Sequence, residues 1–295
     1  MKYLSVEQMA QRWGLAPRTV RNYCAGGKIP GAALLGKTWS IPETAKRPDR
    51  AKRENEPATL LSILRREKES HVSGGIYHKV QIELTYNSNR IEGSKLTQDQ
   101  TRYIFETNTI GLSNDAVNVD DIVETANHFR CIDEIIDQAN ATLSETLIKR
   151  LHLLLKNGTS DSRKGWFVVG GYKRLPNEVG GRDTAAPEEV SARMRKLLSA
   201  YNAKKTHSLE DILEFHYRFE SIHPFQDGNG RVGRLILFKE CLRNGITPFI
   251  IRDELKLFYY RGLQQWPDEH GFLMETCIAA QDTFKQYLDY FRIRQ

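Results

Sequence analysis

The chain has 295 residues, enough for one large domain and a smaller one, and its 40% apolar and 27% charged residues are ordinary for a folded protein. No stretch approaches the roughly 18 apolar residues of a membrane span, and the start lacks the apolar segment of a signal peptide. The four cysteines lie far apart, without a Cys-x-x-Cys pair: Cys24, Cys131, Cys241 and Cys277. This spacing argues against a disulfide framework and against a zinc site, so we expect a cytoplasmic protein with reduced thiols.

The net charge of +6 is concentrated at one end of the chain. Residues 1–56 hold 11 Lys and Arg against 5 Asp and Glu, whereas the remaining residues hold 32 of each sign. A basic segment ahead of a neutral body is compatible with a nucleic-acid partner.

The N-terminal residues 1–48 predict a small winged helix-turn-helix module. Ser5 and Gln8 form a capping box for a first helix, Pro17 suits the first position of a second helix that runs to about Ala25, and two short strands flank a turn at Gly36. The segment resembles the excisionase/MerR type of winged helix. Four side chains of the second helix are candidate DNA contacts: Arg18, Thr19, Arg21 and Asn22. Docking to a protein is the alternative use of such a module.

A charged linker is predicted at 49–58, followed by a mainly α-helical domain over 59–295. Apolar residues recur at helical spacing along most of this domain. Residues 164–181 break the helical period with β-branched and aromatic residues and paired glycines, so we expect a β-hairpin there. The predicted fold is a helical bundle that carries one hairpin flap.

The run His223–Arg234, His-Pro-Phe-Gln-Asp-Gly-Asn-Gly-Arg-Val-Gly-Arg, groups the residues that metal-nucleotide chemistry needs. A histidine near neutral pKa can take a proton from a hydroxyl, and a single carboxylate suits Mg²⁺. Glycines at a helix start let backbone N–H groups approach a phosphate, and one arginine guanidinium can bind two phosphate oxygens at once.

This run resembles the signature of the Fic family at every defined position, and the resemblance extends over about residues 60–290. It implies transfer of AMP from ATP to a Ser, Thr or Tyr hydroxyl of a target protein, with His223 as general base and Asp227 as the Mg²⁺ ligand. It also implies that the nucleotide phosphates contact five residues: Gly228, Asn229, Gly230, Arg231 and Arg234. The predicted hairpin would align the target segment as an added strand.

Gly230 bears on the type of transfer. The related Doc branch carries Lys at this position and uses ATP as a phosphate donor. The glycine therefore favours adenylyl over phosphoryl transfer.

A second pattern, Ser88–Gly93, resembles the Fic inhibitory motif, with the key positions Ser88, Glu92 and Gly93 at the end of a helix over about 76–93. The resemblance implies that Glu92 pairs with Arg234 and keeps the γ-phosphate from its productive place. Some such enzymes also use this glutamate to position water and remove AMP, so the reverse reaction stays open. Self-modification is a separate reaction that also stays open. The alternative function is a DNA-binding regulator whose Fic domain senses a nucleotide.

Overall fold

The computed structural model describes residues 2–48, 58–111 and 116–293. The chain divides into two compact units, Met1–Pro57 and Ala58–Gln295. Residues 49–57, which are nearly all of the predicted linker, lie outside the described residues. No described helix is both long and apolar enough to cross a membrane.

The N-terminal unit contains two helices and a small antiparallel sheet. Helix α1 spans Val6–Trp13 and starts with the predicted capping box of Ser5 and Gln8, and α2 spans Pro17–Ala25. The predicted strands are β2, Ala33–Leu35, and β3, Thr38–Pro42. A further strand, β1 at Tyr3–Leu4, was not predicted and pairs with the far end of β3.

A core of its own holds this unit together. Three of its helical residues, Met9, Val20 and Cys24, are buried together with Ile29 and Ile41. Because apolar burial supplies most folding free energy, this cluster gives the unit an independent source of stability.

The second unit contains ten α-helices in its described part. They are α3 (Leu60–Ser70), α4 (Ile76–Ile91), α5 (Gln98–Thr107), α6 (Val119–Asp137), α7 (Glu145–Lys156), α8 (Pro187–Asn202), α9 (Leu209–Ile222), α10 (Asn229–Arg243), α11 (Lys256–Gln265) and α12 (Gly271–Tyr290). Helix α10 is buried nearly all round, from Arg231 to Leu242, which is the pattern of a central helix.

The hairpin is shorter than predicted and begins later. Its strands are β4, Glu178–Val179, and β5, Arg182–Asp183, and residues 164–177 form turns and irregular backbone. The prediction of a hairpin over 164–181 is therefore wrong for residues 164–177. The physical reason is that this segment bonds to other elements: the Lys173 N–H donates to the Pro224 carbonyl and the Gly170 N–H to the His152 ring.

Candidate active site

The loop between α9 and α10 brings the signature residues together. His223 caps α9 in the left-handed region, with φ of 49°, which is uncommon for a residue other than glycine. Six residues later the side chain of Asn229 closes the loop, because its Oδ1 accepts from Phe225 N–H and its Nδ2 donates to Phe225 O, both at 2.8 Å. Phe225 is fully buried, as an anchor of the loop should be.

The loop therefore has one fixed path between the two helices. Since the Asn229 side chain is occupied in closing it, only its backbone N–H is left for a phosphate.

The first turn of α10 is arranged as an anion site. Gly228 at its N-cap has φ of 80° and offers no side chain to cap the helix, so the first N–H groups lack intrahelical partners. The helix dipole adds partial positive charge at the same place. Arg231 and Arg234, both 4% exposed, lie on this helix one turn apart. The arrangement can bind a chain of phosphates.

His223 lies in the loop that leads to this anion site, at the C-cap of α9, and is half-buried. Burial and the nearby ammonium of Lys173 lower the pKa of its ring to about 4. Its Nδ1 has no hydrogen-bond partner among the described residues. At neutral pH the ring is therefore uncharged and able to accept a proton, as a general base must.

Asp227 is held by two cations. Its Oδ2 lies 2.6 Å from Lys156 Nζ and 3.3 Å from Arg231 Nη2. Burial opposes its ionisation, but Arg231 and Lys156 hold the pKa of the carboxyl well below its usual range. A second carboxylate, Glu124, pairs with both Lys156 and Arg231. The result is a charge network in which Asp227 is ionised and nearly half exposed.

Lys156 and Glu124 were not predicted as site residues. One feature of the sequence could have identified Lys156. It lies four residues after His152, on the apolar side of α7 where Leu151 and Leu155 are buried. A lysine in such a stripe needs a buried partner. Its partners are Glu124 on α6, Asp227 in the signature loop and Asp161 beyond the end of α7, and spacing within α7 does not identify them.

The residues present fit a magnesium ion that arrives with a nucleotide. Among the described residues, no group of three or more His, Cys, Asp or Glu side chains could hold a metal ion by itself. Mg²⁺ commonly takes one or two carboxylates and completes its shell with phosphate oxygens and water. Asp227 offers such a carboxylate beside the anion site.

The residues Ser88–Gly93 meet Arg234 beside the anion site. Arg234 Nη2 lies 2.6 Å from Glu92 Oε1 and 3.0 Å from the Ser88 carbonyl, and its Nε lies 3.0 Å from Ser88 Oγ. Burial opposes ionisation of Glu92, but Arg234 and Arg231 keep the pKa of its carboxyl below the ordinary value. Glu92 caps α4 and Gly93 leaves it with φ of 100°. The helix end thus places a carboxylate where an anionic ligand of Arg234 would lie.

His152 packs against the loop between α9 and α10 and bonds to it. Its Nδ1 accepts the Gly170 N–H at 2.9 Å, so its Nε2 carries the proton and donates to the Asp227 carbonyl at 3.2 Å. Its ring stacks on Phe225 with centroids 4.0 Å apart. Burial, followed by the charge of Lys156, lowers its pKa to about 3. His152 is a structural histidine, and so is His216, which is buried and bonded to the Tyr259 hydroxyl.

The candidate DNA contacts lie in the N-terminal unit, on α2. Arg18, Arg21 and Asn22 are exposed and Thr19 is half-buried. Arg21 is already paired, since its Nη2 lies 2.8 Å from Glu7 Oε1. One basic side chain of the predicted surface is therefore partly neutralised by α1.

Comparison with known proteins gives consistent matches. Residues 142–240 match the model of the Fic/DOC family. Proteins named protein adenylyltransferase Fic are similar: that of Aedes aegypti is 30% identical over 214 residues, 70% of this chain and 39% of the relative, and that of Nematostella vectensis is 30% identical over 217 residues, 69% and 48%. This chain spans less than half of either relative's length.

Solved structures share the fold. A Fic-domain-containing signaling protein of Bacteroides thetaiotaomicron superposes with a TM-score of 0.61 at 25% identity, covering 78% of this chain and 94% of that one. Fic-1 of C. elegans gives 0.62 at 20% identity, covering 77% and 70%. Residues 142–240 are therefore similar to the Fic/DOC family, and the relatives named protein adenylyltransferase Fic support a protein of the Fic family.

Proposed function

We propose that the chain is an autoinhibited protein adenylyltransferase, which transfers AMP from ATP to a Ser, Thr or Tyr hydroxyl of a target protein. The observation that carries the proposal is that His223 is uncharged and half-buried and precedes the start of α10, where the uncapped N–H groups can bind phosphate. The name of the relatives, protein adenylyltransferase Fic, supports the same reaction class.

In the proposed reaction, His223 takes the proton from the target hydroxyl while the hydroxyl oxygen forms a bond to the α-phosphorus of ATP. The bond between the α-phosphorus and the bridging oxygen breaks, and pyrophosphate leaves. The N–H groups of the first turn of α10 and the guanidinium groups of Arg231 and Arg234 hold the phosphates. Asp227 would hold magnesium, which supplies positive charge to the phosphates when it is bound.

Glu92 is the proposed brake. Its carboxylate lies 2.6 Å from Arg234 Nη2 and competes with a γ-phosphate for that guanidinium. The competition would keep ATP from settling in its productive place, so we expect slow transfer by the unmodified chain.

Labelled ATP tests the transfer. With magnesium present, label from the α-phosphate should appear on protein, including the enzyme itself, and label from the γ-phosphate should not. His223→Ala should abolish labelling and spare nucleotide binding, whereas the control His270→Ala, at an exposed histidine, should change neither. Transfer of the γ-label alone would refute adenylyl transfer.

Four proteins test the brake at saturating ATP. Glu92→Gly should raise labelling at least about tenfold, a change of roughly 1.4 kcal/mol in the barrier. Arg234→Ala should not raise labelling, because it removes the guanidinium that would bind the γ-phosphate. The double variant should label at the same rate as Arg234→Ala. Glu69→Gly, at an exposed glutamate near the end of α3, is the control. Equal rates for Glu92→Gly and the unmodified chain would show that Glu92 is no brake.

DNA binding by the N-terminal unit is the second candidate function. It is favoured by the net charge of +6 within residues 1–56 and by the exposed Arg18 on α2. Combined with the Fic domain, such a unit would make the chain a regulator that senses a nucleotide.

A further inference from the structure

Lys173 is a buried cation without an anionic partner. It is 4% exposed, and its Nζ lies 2.6 Å from Asn177 Oδ1, 2.5 Å from Thr184 Oγ1 and 3.4 Å from the carbonyl of Ile222. Within the described part of the chain it forms no ion pair. Burying an ammonium without a carboxylate is costly, so its position calls for an explanation other than stability.

The ammonium has no donor left for a ligand. An ammonium group has three N–H donors, and the three neutral acceptors on Asn177, Thr184 and Ile222 account for all of them. A substrate phosphate could bind Lys173 only by breaking these bonds. Lys173 therefore acts on its surroundings, not on a ligand.

Lys173 is bonded to the residues that precede and follow His223 in the chain. The Lys173 ammonium donates to the carbonyl of Ile222, and the Lys173 backbone N–H donates to the carbonyl of Pro224 at 2.9 Å. His223, between these two carbonyls, has the left-handed backbone conformation that costs a non-glycine residue free energy. Bonds on either side of it oppose relaxation of that conformation.

Residues 173–177, here called the flap base, run beside residues 222–226. The Asn177 Nδ2 donates to the Phe225 carbonyl at 2.9 Å, and the Leu175 N–H donates to Gln226 Oε1 at 3.2 Å. The hairpin β4–β5 begins at Glu178, directly after the flap base. The element expected to meet a target protein is thus bonded to the loop that carries the base.

We propose that Lys173 is a positioning residue, which holds the His223 backbone in place, keeps a positive charge beside its ring, and couples the flap to that ring. The inference rests on the proposed function for its catalytic meaning. Its physical content, an influence of Lys173 on the His223 ring, holds independently of which reaction the site performs.

The charges around His223 give the direction of this influence. Burial and the Lys173 ammonium lower the pKa of the ring, while the carboxylates of Glu92 on α4 and Asp227 in the loop raise it. The balance is a pKa of about 4. Without the ammonium, the imidazolium form becomes less unfavourable, so the pKa of His223 must rise toward its ordinary value of about 6.5.

Titration of the His223 ring by NMR tests the inference without any transfer assay. The full chain is compared with Lys173→Gln, Lys173→Met and the control Arg174→Gln, at the exposed neighbouring position, with His223→Ala assigning the signal. We expect a higher pKa of His223 in both Lys173 variants and no change in Arg174→Gln. Lys173→Arg, which keeps the charge, should restore the low pKa. An unchanged pKa in folded Lys173→Gln would overturn the inference.

The labelling assay then shows the catalytic consequence. The acid limb of the rate against pH should move to higher pH in Lys173→Gln, with the KM for ATP unchanged. Lys173→Met, which also loses the hydrogen bonds to the flap, should in addition raise the KM for the protein target. An acid limb that stays in place would contradict the role. If the unmodified chain transfers no AMP, the proposed function fails, and the NMR titration alone decides the role of Lys173.

Discussion

At the scale of single residues, Gly230 has a steric role that its position in the signature did not reveal. A Cβ atom here would lie 2.4 Å from Glu92 Oε1 and 2.9 Å from Arg234 Nη1. Such contacts are too short to persist, so only glycine lets Glu92 reach Arg234. Gly230 therefore makes room for the proposed brake, a role separate from the type of transfer that the sequence resemblance predicts for it.

A double-mutant cycle tests this steric role. Gly230→Ala should destabilise the chain by about 1–3 kcal/mol, because the new methyl group forces Glu92 aside. In the Glu92→Gly background the same substitution should cost clearly less, since the nearest clash is gone. Urea unfolding of the four proteins measures the coupling, with Gly165→Ala, where a Cβ meets no atom within 4 Å, as control. Equal costs in both backgrounds would contradict the contact.

Glu220 is a buried carboxyl one turn before His223 and makes stability depend on pH. Burial raises its pKa to about 8, against the opposing pull of Arg234. Unfolding restores the ordinary pKa of a glutamate, about 4.5, so the unfolded chain releases this proton first as the pH rises. The folded state therefore loses stability between about pH 4.5 and pH 8, by up to about 1.4 kcal/mol per pH unit from this group.

Glu220→Gln, which stays neutral, should remove that loss. Urea unfolding at pH 5 and at pH 8 should show a smaller difference for the variant than for the unmodified chain. Glu210→Gln, at an exposed position of the same helix, should keep the full difference. A pH dependence that Glu220→Gln leaves untouched would mean that Glu220 ionises normally.

The candidate site could be predicted where its residues lie close together in the sequence. The signature His223–Arg234 and the segment Ser88–Gly93 were both recognised, and the structure places Glu92 on Arg234. Lys156, Glu124 and Lys173 were missed, because their roles arise from contacts across distant segments. Arg231 and Glu124, for instance, are 107 residues apart in the chain. Helical periodicity gives the buried face of a helix but not its register against a neighbour.

At the scale of elements, the helices followed from apolar spacing and from caps such as Ser5 with Gln8. The hairpin prediction failed over residues 164–177, where the composition is typical of strands but the hydrogen bonds go elsewhere. Gly170, with φ of 74°, turns the chain toward His152. Tertiary contacts overrode local propensity in that segment.

Helices α9 and α10 approach closely at Gly233. A Cβ there would lie 2.5 Å from Glu220 Oε1 and 2.8 Å from the His216 ring. Gly233→Ala should therefore destabilise the chain by about 1–3 kcal/mol, although alanine favours a helix interior by about 1 kcal/mol. Thermal and urea unfolding measure the change, with the near-neutral Gly165→Ala as reference. A stabilised Gly233→Ala variant would show that the two helices have room between them.

At the scale of the whole molecule, charge and packing divide the chain in the same place. The excess positive charge lies in residues 1–56, and the compact units divide after Pro57. The smaller unit has its own buried cluster around Met9 and Val20. We therefore expect a fragment of residues 1–57 to fold alone.

That fragment should bind duplex DNA through α2, and its affinity should fall steeply with added salt because phosphate contacts release counterions. Arg18→Ala should weaken binding, whereas Lys2→Ala, at an exposed basic residue outside α2, should weaken it less. Glu7→Gln should strengthen binding, because it removes an anion and frees Arg21 from a 2.8 Å ion pair. That pair is exposed and weak, so Arg21 is available to exchange partners.

Mobility-shift titrations at several salt concentrations, with circular dichroism to show that each fragment is folded, measure these effects. Binding that Glu7→Gln leaves unchanged would place the DNA contacts away from Arg21. A folded fragment that shows no shift at low salt would reject DNA as the partner and leave docking to a protein as the function of the basic unit. The positive charge would then serve an acidic protein surface, since the same excess of Lys and Arg attracts either polyanion.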